Sequence, residues 1–446
     1  MYLKLTKGSS NWSYENDQIK ELSFTPEYDP TLSTYPTCEY EAKIYDTQRN
    51  ASDLLYSIAY LYGIEPSSSS DYNSLIAGYY KLTEAKEIGN HLIQIRAQSI
   101  LAELDKVWMH GHFYNYENIE SAVDAIFEAA GYIPNTGPYR IWSVMTGYEV
   151  YGYCPDQTAR DRLIWCAQSI GASILQWGQY SGYGLCIAQA IDTLPDMSYV
   201  SYSTELMPYD NTYRKPNIKE RKTPGKLKIT RYGSWSDSKP SATGWESIIV
   251  GYSYDLDEYD RHPEYLYYFT YESTETNPNG GDETEASISG NILINSLALI
   301  ENVARAYFRN MTAELEMLIS TRDFRKYMPG QKVRFYADQT TMYAGVIRSA
   351  QFISGQLTRV KLVIDTDSTP VSLVHVRFNY VYAQGQDSRQ LGHRDYYVVP
   401  GNYMTVDHPT FKSYVVDRWE TFTPQTASTT IQPSQDTTTT INYSRS

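Results

Sequence analysis

Cysteine is scarce and scattered in this chain. The four residues Cys38, Cys154, Cys166 and Cys186 form no CxxC pair. That excludes a disulfide framework or a zinc ribbon and leaves buried free thiols as the expectation. Long apolar runs are missing too. No stretch approaches the roughly 20 residues of a membrane span, and the N-terminal MYLKLTKGSSNWSY has no apolar core of signal-peptide length. The expectation is a chain made and first folded in a cytoplasm, with no membrane anchor. Positive charge is in deficit, with 38 Lys and Arg against 52 Asp and Glu and a net charge of -14. An acidic surface repels nucleic acid and anionic membrane, so specific DNA or RNA binding is disfavoured. DNA sliding past without being gripped remains compatible with it.

Recognisable catalytic patterns are also lacking: there is no GxSxG, no P-loop and no GxGxxG. His110-Gly111-His112 sets two imidazoles at i, i+2, but no HExxH-like neighbour offers a third metal ligand, and a polar loop explains the triplet better. The run Asp255 to Asp260 departs from a calcium loop at the sixth position, Asp260, and the twelfth, Leu266. Asp156 and Asp161 flank a predicted helix start, where turn and dipole preferences account for them. The seven histidines are dispersed. These features point to a protein with no catalytic residues, no metal and no cofactor.

What the chain does have is length, apolar material and tyrosine. Its 446 residues suggest roughly two to four domains. Hydrophobic residues make up 41% and charged residues 20%, a balance that supports packed cores and argues against general disorder. Tyrosine outnumbers phenylalanine 44 to 11. An apolar ring with a wet hydroxyl suits half-buried strands, interfaces and sugar-binding surfaces.

Periodicity predicts strands where Leu22 and Phe24, then Tyr40, Ala42 and Ile44, alternate with polar residues, and again at 92–97. AQSILAELDK reads as a short helix or turn. NIESAVDAIFEAAG is a helix with Ile119, Ala122, Val123, Ile126, Phe127 and Ala130 on one face, Asn118 as N-cap and Gly131 as stop. TARDRLIWCAQSIGA is another, with Thr158 and Asp161 at capping-box spacing and Gly171 at its end. LKIT, SIIVGYSY and YLYYFTY look like strands, and TETNPNGGDETE (274–285) like a mobile loop. A long helix is expected over 290–310, followed by strands around QKVRFY, YAGVIRSAQF and LTRVKLVID. Beyond a polar linker at 366–372, a new alternation begins at Val374, Val376, Phe378 and Tyr380, with a Pro400-Gly401 turn and a final strand TTTTINY.

Several stretches in this order resemble the tail hub, or baseplate hub, family of long-tailed bacteriophages and related prophages. They are IKELSFTPEYDPTLSTYPTCEYEAKI, HLIQIRAQSILAELDKVWMHGHFYN, NIESAVDAIFEAAGY with GYEVYGYCPDQTARDRLIWCAQSIGASI, LMPYDNTYRKPNIKERKTPGKLKITRY, and GNILINSLALIENVARAYFRNM with PGQKVRFY. The likeness spans about residues 18–366. It implies an α+β, mainly β fold of two tail-tube-like β-barrel domains with inserted helical segments, plus a small C-terminal β module. On that basis residues 1–115 form the first barrel domain and 116–190 a helical, α+β insertion. Residues 191–370 form the second barrel domain, carrying the 290–310 helix, and 374–446 the C-terminal module.

The resemblance also implies a homotrimer whose barrels make a pseudo-six-fold ring closing the distal end of the tail tube at the virion tail tip. Its implied partners are the distal tail or tail tube protein, the tape-measure protein and tail-tip or fibre proteins. Phage DNA would pass through without sequence-specific binding. VHVRFNY, VVPGNY, FKSYVV and TTTTINY resemble a mucin-binding-type β repeat. Within it, Tyr403, Tyr414 and Trp419 are candidate contacts for a glycan or a partner, or alternatively fillers of the module's own core. Two other functions compete: a carbohydrate-binding adhesin or receptor-binding tail protein, and a tail-associated cell-wall hydrolase.

Overall fold

The structure is a computed structural model. It describes residues 1–15, 17–26, 37–63, 65–66, 75–133, 139–141, 146–176, 185–189, 205–207, 217–220, 224–236, 238–241, 243–250, 264–277, 281–308, 313–320, 329, 332–336, 341–353, 359–366, 371–384, 387–398, 400–401, 404–407, 411–412, 414–419 and 428–445. Two compact units divide the chain. The first comprises Met1–Glu205, Asn211–Val333 and Gly345–Asp367; the second comprises Leu206–Asp210, Arg334–Ala344 and Ser368–Ser446.

The first unit is built on one long antiparallel sheet. Its strands run in the spatial order Asn217–Glu220, Ala313–Ser320, Arg359–Thr366, Thr341–Ile353, Ile19–Phe24, Glu39–Tyr45, Leu92–Gln98, Leu75–Gly89, Ile58–Tyr62, Tyr2–Lys7 and Ser10–Tyr14. A group of late strands and a group of early strands thus share one sheet. They join where Phe352 and Ile353 pair with Phe24 and Ser23. The protein is α+β and mainly β, with its sheets curled into half-barrels, as expected from the sequence.

Alternation fixes the register. Tyr40, Ala42 and Ile44 are buried and stand opposite Ala97, Ile95 and Ile93, also buried. A slip of one residue would turn this apolar row to solvent. In Ile19–Phe24 the buried residues Ile19, Leu22 and Phe24 are spaced three and then two. A β-bulge between Ile19 and Glu21 absorbs the extra residue and keeps all three on one face. Behind this face Phe24, Tyr40 and Tyr80 meet ring to ring at 5.6–6.1 Å. The Tyr80 hydroxyl donates to the Gln176 carbonyl at 2.6 Å, and the Gln176 side chain accepts from the Cys38 backbone N–H at 3.1 Å and from the Ser99 hydroxyl.

Five helices lie among the described residues: α1 (Ala51–Leu54), α2 (Leu101–Leu104), α3 (Ile119–Ala129), α4 (Ala159–Ser169) and α5 (Leu297–Phe308). The caps read from the sequence are in place. The Asn118 side chain accepts from the Glu120 N–H at 2.8 Å, and the Thr158 hydroxyl from the Asp161 N–H at 3.1 Å. Ile119, Ala122, Val123, Ile126 and Phe127 of α3 are buried, as are Ala159, Leu163, Cys166 and Ala167 of α4, and the two helices pack together. Arg162, also 97% inaccessible at 3% exposure, was not foreseen on that face.

Two expectations are corrected. The helix expected over 290–310 is shorter: α5 begins only at Leu297. Asn291 explains the difference. Its side-chain oxygen accepts from the Leu293 N–H at 3.0 Å, while its amide donates to the Trp165 carbonyl and the Gln168 side chain, both at 3.0 Å. This turn competes with the helix. Ile292, Leu293 and Ile294 are buried in it, so an apolar run that imitates a helix is core without being helical. The 274–285 loop is also shorter than its composition suggested. Thr274, Glu275 and Thr276 continue a strand and pair with Lys228, Leu227 and Lys226, and Asp282 to Ile288 form another strand parallel to the same segment. These belong to a four-stranded sheet ordered Trp245–Val250, Glu264–Thr276, Pro224–Ser236, Asp282–Ile288.

The second unit holds a four-stranded sheet ordered Asp387–Val398, Val374–Gln384, Thr437–Arg445, Tyr414–Trp419, with the central pair parallel. Val374, Val376, Phe378 and Tyr380 supply its core together with Val398, Ile431, Ile441 and Tyr443. Gly401 turns at φ +78°, and its N–H donates to the Pro433 carbonyl at 2.8 Å. Within the stretch expected as a linker, Val371 and Ser372 pair with Met342 and Thr341.

Candidate interaction surfaces

Of the three aromatic residues singled out in the C-terminal module, Tyr403 lies outside the described residues. Tyr414 opens the edge strand Tyr414–Trp419, pairs with Arg445, and is half-buried. Its ring meets Tyr382 edge-on at 5.2 Å and packs against the module's core. Trp419 ends the same strand opposite Ile441, and only its backbone is described. Val415, beside Tyr414, turns outward and is half exposed.

On the polar face of the same sheet stands a charge cluster that single-residue scanning of the sequence passed over. Asp395 accepts from Arg377 Nε at 2.7 Å and a terminal guanidinium nitrogen at 3.1 Å, and meets His375 Nε2 at 2.7 Å, with His393 Nε2 at 3.7 Å. The Arg377 guanidinium, with His375 beside it, holds the Asp395 carboxyl at about 2. The His375 ring stacks on Tyr397 at 4.9 Å, and its backbone N–H donates to Asp436. The signal was present as alternation: His375 and Arg377 are the polar partners of Val374, Val376 and Phe378 on one strand.

The first unit presents a different feature, a ladder of aromatic rings running from core to surface. Buried Tyr232 and Tyr268 are 5.2 Å apart, and Tyr268 meets Trp235 at 5.1 Å. Trp235 meets Phe113 at 6.0 Å and Phe113 meets Tyr151 at 5.5 Å, both edge-on. Tyr151 and Tyr116 then stack at 4.4 Å and 22°. Tyr116 is the exposed end, at 62%. It sits in a β-bulge of the two-stranded antiparallel sheet formed by His112–Asn118 and Glu149–Cys154, where Val150 opposes Glu117 and Gly152 opposes Tyr114. Tyr116 has φ +54° and Gly152 φ +116°. A side chain at Gly152 would press on Asn295 and Trp235, at 3.1 and 3.4 Å. Sequence reading missed this ladder because its rungs come from distant segments.

Three described thiols and the His110-Gly111-His112 pair are placed unfavourably for covalent chemistry. Cys38, Cys154 and Cys166 are buried thiols outside any disulfide. Burial pushes the Cys154 thiol up to about 11 and Cys166 higher still, so neither is a thiolate near neutrality. His110 and His112 are exposed and point to different carboxylates, Asp156 at 3.7 Å and Glu117 at 3.3 Å. No cluster of three or more metal-ligating side chains occurs among the described residues. The acidic run 255–260 lies outside them. Among the described residues no helix is long and apolar enough to cross a membrane.

Comparison with solved structures identifies a shared fold. The tail protein from Neisseria meningitidis MC58 superposes with a TM-score of 0.50 at 11% identity, over 82% of this chain and 96% of that one. The 43 kDa tail protein of prophage MuSo2 from Shewanella oneidensis follows at 0.48 and 10%, over 82% and 99%. Prophage tail protein gp18 from Listeria monocytogenes EGD-e gives 0.46 and 10%, over 82% and 96%. No family model matches any part of the chain, the C-terminal module included, and no curated protein matches its sequence.

Proposed function

We propose that the chain is a structural tail protein, the hub that closes the distal end of a tail tube. One observation carries this reading: its fold is shared over nearly the whole length of a tail protein, 96% of the Neisseria chain. The joined sheet adds support. Early and late strand groups share one antiparallel surface through Phe24 and Phe352, so each copy offers two half-barrels side by side. Three copies would then give six such elements, the number that matches a six-fold tube. In this reading the hub meets the distal tail or tail tube protein above it, the tape-measure protein inside, and tip or fibre proteins below, and DNA passes its acidic chain without sequence-specific contact. The chain is not an enzyme in this account. Cys154 and Cys166 are buried and protonated near neutrality, and His110 and His112 lean on separate carboxylates.

Residues 374–446 are proposed as an appended module that meets a neighbouring tail protein or a glycan, with Tyr403, Tyr414 and Trp419 as candidate contacts. Two experiments test the whole. Immunogold labelling of the native particle is expected to mark the tail tip; label elsewhere, or none, removes the hub assignment. Zymography against bacterial cell walls is expected to show no clearing. A cleared band that one carboxylate substitution abolishes would make the protein a hydrolase.

A further inference from the structure

The exposed end of the aromatic ladder lies in an unusual stretch of sequence. From 107 to 139 the chain carries Glu117, Glu120, Asp124 and Glu128 with no lysine or arginine, and from 141 to 159 it carries Glu149 and Asp156, again with neither. These stretches include both strands of the sheet that carries Tyr116 and the helix α3 that lies between them in the chain. Glu120, Glu128 and Glu149 are exposed, and Glu149 is paired across the two strands with Asn118. The Tyr116 ring, 62% exposed, therefore stands on a strand pair and beside a helix that carry carboxylates and no lysine or arginine.

We infer that Tyr116 is a docking platform for an arginine side chain presented by a different protein. A guanidinium is planar, stacks on an aromatic face, and still has N–H donors to direct at flanking carboxylates. Tyr116 is pre-set for that role. Stacking on Tyr151 and the bulge opposite Gly152 hold its ring in place before any partner arrives. Its backbone is left-handed, a conformation that glycine or asparagine would adopt with less strain, so the ring is kept against the preference of the backbone. A second copy of this chain, at net charge -14, complements the acidic surroundings less well than a basic partner does. The inference does not depend on the tail reading.

The test uses the full chain and the peptide acetyl-GRGRGRG-amide, with its lysine and citrulline counterparts and a panel of neutral glycans as comparisons. Titration calorimetry at low salt is expected to rank arginine above lysine and to find no binding of citrulline. Tyr116→Gly should weaken arginine-peptide binding about three- to tenfold, while its thermal midpoint stays equal or rises, because glycine relaxes the backbone. Tyr116→Phe should bind like the wild type, and so should Tyr56→Ala, which removes another exposed tyrosine. Unchanged binding in Tyr116→Gly, or equal binding of the citrulline peptide, overturns the inference. Glycan binding that disappears in Tyr116→Gly assigns the platform to sugars instead. A changed oligomeric state in Tyr116→Gly assigns it to a second copy.

Discussion

Gly171 lies just past the end of α4 and packs against Asn302 of α5. It has φ +69°, and a Cβ built on it would lie 2.7 Å from the Asn302 Cβ and 2.8 Å from the Asn302 carbonyl carbon. The carbonyl carbon belongs to the helix backbone and the Cβ is fixed by it, so neither can rotate away and Gly171→Ala must move α5 relative to α4. Two effects add. A non-glycine residue in the left-handed region costs about 1–2 kcal/mol, and forcing a methyl into a filled contact costs about 1–3 kcal/mol. The expected loss is therefore about 2–5 kcal/mol.

Gly131 supplies an internal control. It ends α3 at φ +82° but has nothing within 4 Å of its would-be Cβ, so Gly131→Ala should lose only the first amount. Unfolding of a chain with two units need not be two-state, so the readout is hydrogen exchange of the amides in α3, α4 and α5, supported by thermal midpoints. Gly171→Ala should accelerate exchange in α4 and α5 together, and Gly131→Ala less and in α3. Equal effects of the two variants, or a Gly171→Ala protein within about 0.5 kcal/mol of wild type, the range of ordinary surface substitutions, would refute the close approach of the two helices.

The remaining predictions concern charge, thiols and modularity. Asp46 is 5% exposed and accepts from the Tyr14 hydroxyl, Arg49 and the Gln48 N–H. Burial opposes its charge, but the Gln48 N–H, Tyr14 and Arg49 overcome this and hold its carboxyl below the ordinary range. A depressed folded-state value means the contribution is present above about pH 4 and lost as pH falls through the folded value. Asp46→Asn should therefore lose about 1–3 kcal/mol at neutral pH and show a shallower acid limb in pH-dependent unfolding; an unchanged acid limb refutes this. Asp395, held at about 2, should contribute in the same sense between about pH 4 and 2, seen as a flatter acid limb in Asp395→Asn. Mass-spectrometric labelling should find Cys38, Cys154 and Cys166 unmodified in the native protein at pH 8 and all modified after denaturation. Rapid native labelling of any of them contradicts their burial. A chain truncated after Asp367 should still assemble closed-tip tails that adsorb poorly; failure to build tails would place residues 374–446 in the hub itself.

What could be read from the sequence follows the range of each interaction. Strands such as Glu39–Tyr45 and Val374–Gln384 announce themselves because one face is apolar and the other polar. The ends of α3 and α4 are visible because Asn118 and Thr158 act within three residues of their own positions. The 290–310 stretch misled because apolar spacing cannot separate a helix from a buried turn, and the deciding contacts of Asn291 reach back to Trp165 and Gln168 in another helix. The Asp395 cluster and the Tyr116 ladder were hidden for the same reason. Their members are brought together by sheet register and by packing between remote segments, not by any local pattern. Tyr414 was found by its type, and the structure places its ring against Tyr382 and the core of its own module.

The central claim is tested most directly by a particle reconstruction at the tail tip. The account predicts three copies of this chain around the tube axis, each contributing two half-barrels to a six-part ring joined to the tube above. A ring with any symmetry other than three-fold, or density for the chain away from the distal end of the tube, contradicts it.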